Sequence, residues 1–404
     1  MDVSSTTDTH PTPVTTSTAA DPDTLVQLLD PQGRRLDHPR YAGWAAHLDD
    51  DAVRGLYRDM VLTRRFDAEA TSLQRQGELG LWPPSLGQEA AQVGSGRALA
   101  AQDFVFPSYR EHGVALTRGL DVRALLRVFR GIEHGGWDPK AHNFHLYSFV
   151  IGSHALHATG YAMGVQRDGD VGTGEPDRDR AVVVYVGDGA TSQGDVHEAM
   201  VFAAVTNAPV VFVCQNNQWA ISVPTAGQAR VPLSRRGDGV GIPSVRVDGN
   251  DVLATYAVTA EALDRARSGG GPTFIEAYTY RMGAHTTSDD PTRYRTREEE
   301  ESWRQRDPID RVRAYLGRAG RADAEFFAAV ETEAEELGRS TREYCRALTA
   351  SPATAMFESV YAARHPLVEE ERAAFEAYQA SFAEPTRDDE LHAPVSDARA
   401  AVAL

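Results

Sequence analysis

Two uninterrupted apolar runs, VVVYV at Val182–Val186 and VVFVC at Val210–Cys214, constrain this chain more than any other feature. A strand with one face in water alternates apolar and polar residues, whereas a strand covered on both faces does not. The runs therefore predict interior strands of a parallel sheet. The stretch between them, Ser192–Thr206, predicts the helix that crosses from one to the next. No apolar run approaches the ~20 residues of a membrane span, so these runs belong to a protein core.

The rest of the chain repeats the alternation. Apolar residues at helical spacing from Leu48 to Gln76 predict an amphipathic helix, and GELGLWPPSLGQEAAQVGSGRAL passes through a Pro-Pro turn into a helix of small residues. DFVFPSYREHGVAL predicts a short strand, a loop and a helix; SHALHATGYAMGV predicts another helix. After the two runs come SVRVDG, a helix over Val252–Arg267 and the strand TFIEAYTY. Strand and helix in turn predict an α/β fold with a doubly wound, mostly parallel sheet. Residues 297–382 lack a strand signal and predict a helical C-terminal region, with no internal repeat anywhere. The expected division is a disordered tail over 1–22, a helical segment over 23–100, the α/β domain over 101–296, the helical region over 297–382 and a polar tail over 383–404.

Asp and Glu number 58 against 41 Lys and Arg, and the net charge of −17 opposes attraction to nucleic acid or an anionic membrane. Cys214 and Cys345 are the two cysteines, too few for a disulfide framework, and Cys214 reads as a small buried residue. The N-terminal stretch has neither an apolar segment nor the early arginines of a targeting peptide, so a cytoplasmic location is expected.

Each apolar run ends in a polar signature: Gly187-Asp188-Gly189 after the first, Asn216-Asn217 after the second. Either alone is an ordinary turn or strand exit. Together they fall where ligands bind parallel sheets, outside the carboxyl ends of neighbouring strands. Gly187 and Gly189 permit close backbone approach, Asp188 supplies one hard carboxylate oxygen, and Asn217 adds an amide oxygen. A helix starting near Ala190–Ser192 would aim its free N–H groups at the same place. One carboxylate, neutral oxygens and phosphate oxygens are how Mg²⁺ is usually held, so the pair reads as a magnesium diphosphate site.

These residues resemble a known family. VGDGATSQGDVHEAMVFAA with QNNQWAISVPT looks like the thiamine diphosphate signature in the alpha subunit of the decarboxylating component of 2-oxo acid dehydrogenase complexes. QGELGLWPPSLGQEAAQVGSGRAL, FPSYREHG, SVRVDGND and YRMGAHTTSDDPTRYR extend the likeness over roughly Leu56 to Leu316. The resemblance implies that Asp188, Asn217 and the carbonyl of Trp219 bind Mg²⁺, and that Tyr109 and Arg110 grip the diphosphate. It further implies that Gly187, Gly189 and Ala190 approach the cofactor through backbone, that Ile151 lies beside the aminopyrimidine, and that His285 stands near the diphosphate and the reacting centre.

The implied reaction is decarboxylation of a small 2-oxo acid, followed by reductive acylation of a lipoyl group on a dihydrolipoyl acyltransferase. His285 would assist that transfer as an imidazolium donating a proton to the lipoyl sulfur. In two-chain members the carboxylate that activates the cofactor belongs to a beta subunit, and no second cofactor unit is visible here. The implied assembly is an α2β2 heterotetramer, inactive as alpha alone. Branched-chain 2-oxo acids such as 3-methyl-2-oxobutanoate are favoured, with pyruvate the alternative. A phosphohydrolase or nucleotide binder would need a P-loop, which is absent; a non-catalytic assembly subunit is the remaining rival.

Some positions depart from the family. His154 and Phe149 replace smaller polar residues, which argues against the potassium site of some relatives. Gln215 replaces an arginine that others place on the diphosphate, leaving more of that task to Arg110. The cluster His142, His145, His154 and His157 lacks flanking cysteines or carboxylates at ligand spacing, so a transition-metal site is not expected. Thr286 matches a serine phosphorylated in mitochondrial relatives; without a transit peptide, that regulation is not expected here. EEEESWRQR reads as a solvated helix start.

Overall fold

The computed structural model describes residues 24–382; the tails expected over 1–22 and 383–404 lie outside the described residues. At its centre are five strands, β1 (Phe104–Phe106), β2 (Val182–Gly187), β3 (Val210–Asn216), β4 (Ser244–Asp248) and β5 (Thr273–Tyr278). Their spatial order is β1-β2-β3-β5-β4, and every pair is parallel. Val26 bridges the outer edge of β4, its N–H donating to the Arg246 carbonyl at 2.9 Å. The N-terminal strap thereby covers an edge that would otherwise offer unpaired backbone groups.

Successive residues of one strand enter different cores, as the uninterrupted apolar runs require. Val183, Tyr185, Val211 and Val213 share a core with α1 (Asp50–Arg75), α2 (Glu89–Arg97) and the later helix Val252–Arg267. Val182, Val184, Val186, Val210, Phe212 and Cys214 face α3 (Ser153–Arg167) and α4 (Gly194–Thr206). Helices thus cover both faces, the doubly wound α/β arrangement. Cys214 is fully buried. On the first face α2 and Val252–Arg267 meet closely, because Gly94 has no room for a side chain: a Cβ there would lie 2.8 Å from the Val252 carbonyl.

Helix α1 begins where Asp49 accepts a hydrogen bond from the Ala52 N–H at 2.8 Å. The C-terminal helices Pro308–Arg318 and Ala324–Ala347 lie against it, while Pro366–Ala380 buries none of its residues. The acidic run forms the helix Arg297–Arg304, capped by Thr296 and anchored by buried Trp303. Among the described residues, no helix is long and apolar enough to cross a membrane.

The strand registry positions the site. Gly187 pairs with Gln215 across β2 and β3, and Asn216 pairs with Tyr278 across β3 and β5. Asp188, Asn217 and the chain leaving β5 therefore emerge side by side. The helix after Asp188 starts later than its sequence indicates. Thr191 Oγ bonds back to the Asp188 carbonyl at 2.6 Å and tightens Gly189–Ser192 into a 3₁₀ turn, so α4 begins at Gly194.

Candidate active site

A cavity of about 410 Å³ opens at the carboxyl ends of β1, β2 and β3. Tyr109, Arg110, Ile151, Gly187, Asp188, Gly189, Ala190, Asn217, Trp219 and His285 all line it, so the structure brings together every candidate residue of the sequence.

Asp188 is 2% exposed, and its Oδ2 accepts from Gln228 Nε2 at 3.0 Å and Thr225 Oγ at 3.4 Å. Burial raises its carboxyl above the ordinary value; a bound cation would act in the opposite sense. Asn217 donates from Nδ2 to Gln88 Oε1 at 3.0 Å, which fixes the amide so that its oxygen is not the atom held by Gln88. That oxygen lies 3.3 Å from the Trp219 N–H. Asn216 points elsewhere: its Nδ2 donates to Glu276 at 2.7 Å and its Oδ1 accepts from Thr225 at 3.0 Å, tying down the loop. Gln218 and Ile221, on either side of Trp219-Ala220, adopt left-handed backbone at φ 72° and 55°. Arg281 Nη1 donates to the Trp219 carbonyl at 2.9 Å, leaving it one further lone pair.

Arg110 is 5% exposed and is held from two sides, through Nη1 to the Pro84 carbonyl and through Nη2 to the His285 carbonyl at 2.8 Å. Its guanidinium lies over the Tyr109 ring, and Tyr109 stacks with Phe149 at 5.8 Å and an interplanar angle of 8°. Phe149 and Ile151 are exposed, forming an apolar lip. A Cβ on Gly189 would lie 2.7 Å from the Ala220 Cβ, so that turn admits glycine and little else. Burial first, then the Arg110 and Arg281 charges, push the His285 imidazole down to about 3.

His145 and His154 of the sequence cluster have separate tasks. His145 stacks on Phe106 at 4.8 Å, and His154 donates from Nε2 to the Tyr185 carbonyl at 2.7 Å beneath the cavity. Sequence reasoning missed Gln88 and Glu111, both buried in the cavity wall. Their signal was present in GQEA after the Pro-Pro turn and in YREHG, but neither segment reveals which side chains turn inward.

The donor set describes the ligand it can take. Among the described residues there is no group of three His, Cys, Asp or Glu able to hold a metal ion. One carboxylate with amide and carbonyl oxygens therefore suits a cation that takes its remaining ligands from phosphate and water. Arg110 supplies N–H groups for an anion, and buried Gln88 Nε2 is a donor without a partner. The residues fit a metal-bound diphosphate.

Residues 57–341 match the family model of the dehydrogenase E1 component. The chain belongs to that family. It is 45% identical over 348 residues to a 3-methyl-2-oxobutanoate dehydrogenase subunit alpha of Mycobacterium tuberculosis, covering 86% of this chain and 92% of that one. Pyruvate dehydrogenase E1 component alpha subunits of Staphylococcus epidermidis and Staphylococcus aureus are 38% identical over 331 residues, covering 78% of this E1 chain and 86% of theirs. These matches extend over both the sheet that builds the cavity and the helices around it.

Proposed function

We propose that this chain is the alpha subunit of a thiamine diphosphate-dependent 2-oxo acid dehydrogenase acting on branched-chain substrates such as 3-methyl-2-oxobutanoate. The observation that carries the reading is the meeting of Asp188, Asn217 and the Trp219 loop with Tyr109, Arg110 and His285 around one cavity in a chain of the E1 family. Asp188, Asn217 and the Trp219 carbonyl would hold Mg²⁺. Tyr109 and Arg110, with the backbone of Gly187, Gly189 and Ala190, would hold the diphosphate. Ile151 would support the aminopyrimidine. When bound, the thiazolium supplies an electron sink for the carbanion left by decarboxylation, which no ordinary side chain can stabilise.

The chain's own residues do the rest. Asp188 and Arg110 balance charge at the diphosphate end, and the apolar lip of Phe149 and Ile151 excludes water from the ring end. Because its Nδ1 faces two guanidinium groups, neutral His285 would offer Nε2–H to the reacting centre or to the lipoyl arm. A beta subunit completes the site, in an α2β2 assembly that acylates the lipoyl group of a dihydrolipoyl acyltransferase.

Branched-chain substrates are favoured by the 45% relative over the 38% pyruvate relatives, which support pyruvate as the second reading. Co-expression with the beta subunit and assay with an artificial electron acceptor decides between them. A higher kcat/KM on 3-methyl-2-oxobutanoate than on pyruvate is expected; the reverse order would establish the second reading.

A further inference from the structure

Gln215, which ends β3 beside Gly187, uses both ends of its amide inside the protein. Nε2 donates to Glu111 Oε1 at 2.6 Å, and Oε1 accepts from Gln92 Nε2 at 3.1 Å. The two partners hold the carbonyl and the N–H of one residue, Arg110. Gln92 Nε2 also donates to the Arg110 carbonyl at 2.9 Å, while Glu111 Oε2 accepts from the Arg110 N–H at 3.3 Å and from Ser108 Oγ at 2.9 Å. Gln92 Oε1 accepts from the Gly113 N–H at 2.9 Å, and a Cβ on Gly113 would lie 3.1 Å from the Gln92 Cβ, so the glycine makes room for this contact. Gln92, Glu111 and Gln215 are at most 3% exposed.

We propose that Gln92, Glu111 and Gln215 form a positioning relay that fastens the Tyr109–Arg110 turn to the end of β3 and so sets Arg110 against the diphosphate. The inference rests on reading the cavity as a diphosphate site. It gives Gln215 a task different from that of the arginine found in relatives: its amide is committed to Glu111 and Gln92, and it serves the anion through Arg110. The polarity of the relay is fixed. A carboxylate at 111 needs a donor from 215, and the donor nitrogen of Gln92 needs an acceptor on 215; an amide at 215 is the group that offers both. A buried mismatch in such a network loses the bond and leaves a polar atom unpaired.

The test is a polarity swap in the alpha–beta complex, read as the dissociation constant of thiamine diphosphate with Mg²⁺ by calorimetry and as the thermal midpoint of the same samples. Gln215→Glu sets oxygen against oxygen at Glu111 and should weaken cofactor binding about tenfold or more. The double variant Glu111→Gln with Gln215→Glu restores a donor at 111 and an acceptor at 215 facing Gln92. It should return to within about threefold of wild type. Should Gln215→Glu fail to fold, Gln215→Met, of similar length and without a second like charge, is expected to weaken binding severalfold in a complex that still folds with a lowered thermal midpoint. Unchanged affinity in Gln215→Met or Gln215→Glu, or a double variant no better than Gln215→Glu, would overturn the relay. A wild-type complex that does not bind thiamine diphosphate would instead overturn the reading of the cavity on which the relay rests.

Discussion

Arg110 Nη2 stands 2.8 Å from the carbonyl oxygen of His285 and 3.3 Å from its Nδ1, so the turn after β1 and the loop after β5 meet in the cavity wall. Arg281 Nη1 approaches the same Nδ1 at 3.3 Å. Two guanidinium groups around one ring nitrogen make it the acceptor and leave the proton on Nε2. The charged imidazolium expected from sequence is thereby disfavoured, for a reason the sequence hides: Arg110 lies far from His285 along the chain. Asp289 partly offsets the cations, its carboxylate accepting from the His285 N–H at 2.8 Å and from the Tyr294 hydroxyl at 2.6 Å.

The His285→Ala variant in the complete complex should lose far more activity than the same variant assayed with an artificial acceptor, which bypasses the lipoyl group. A neutral N–H donor near the acyl-transfer step predicts a loss of about 10²-fold or more in the first assay. Equal losses in both assays with unchanged cofactor affinity would assign His285 to decarboxylation instead.

Acid should weaken the fold partly through this residue. With its imidazole near 3 when folded and near the usual 6.5 when unfolded, the unfolded chain binds the extra proton between those values. The stabilisation is therefore complete above about pH 6.5 and lost as pH falls toward 3. His285→Asn should show a shallower decline in denaturation midpoint from pH 7 to pH 5 than wild type. An identical decline in both proteins would remove His285 as a source of acid sensitivity.

Asp188→Ala should abolish retention of thiamine diphosphate while leaving the chain folded. In the proposed reading its carboxylate is the anionic oxygen offered to the cation; in this structure it accepts from Gln228 and Thr225. Calorimetry on the alpha–beta complex with Mg²⁺ present is the measurement; wild-type affinity would exclude Asp188 as a metal ligand.

How far the sequence could be read follows from which contacts are local. Val182–Val186 and Val210–Cys214 declared a sheet buried on both faces because pleating sends alternate residues into two cores. The signatures after them fell together because strand registry, itself set by those runs, places Gly187 beside Gln215. Gln88, Gln92 and Glu111 were illegible for the complementary reason. Each acts on a residue from another element, as Gln92 does on Gln215 across 123 positions, and nothing nearby in sequence marks the pairing. The delayed start of α4 was hidden in a single side-chain bond, from Thr191 to the Asp188 carbonyl.

Gly87→Ala should damage both stability and cofactor binding. Gly87 has φ 93°, and an added Cβ would overlap the Tyr280 carbonyl, a backbone atom that cannot turn aside. A loss of about 2–3 kcal/mol is expected. The strain passes directly to Gln88 and so to the Asn217 amide that Gln88 orients. Denaturation together with cofactor calorimetry checks both effects; wild-type values in both would show that the turn can relax around a methyl group.

The purified alpha chain should neither bind thiamine diphosphate tightly nor decarboxylate a 2-oxo acid, and adding the beta subunit should restore both. In the proposed reading the cavity supplies groups for the diphosphate and metal, but the carboxylates lining it are already engaged: Asp188 accepts from Gln228 and Thr225 and would hold the metal, and Glu111 accepts from Ser108, Arg110 and Gln215. Phe149 and Ile151 are exposed at the cavity, and on the outer surface of the helices so are Tyr161 on α3 and Phe202 and Val205 on α4, at 38%, 50% and 75%. Exposed apolar side chains of that size on two helices packed together mark a face that a partner covers. Phe202→Glu with Val205→Glu should therefore prevent assembly with the beta subunit while leaving the alpha chain folded, because both side chains point away from its own core. Size-exclusion chromatography reads the assembly and circular dichroism the fold. A double variant that still forms the complex would place the beta subunit on another face, and full activity from alpha alone would mean that this chain holds the second half of the cofactor site itself.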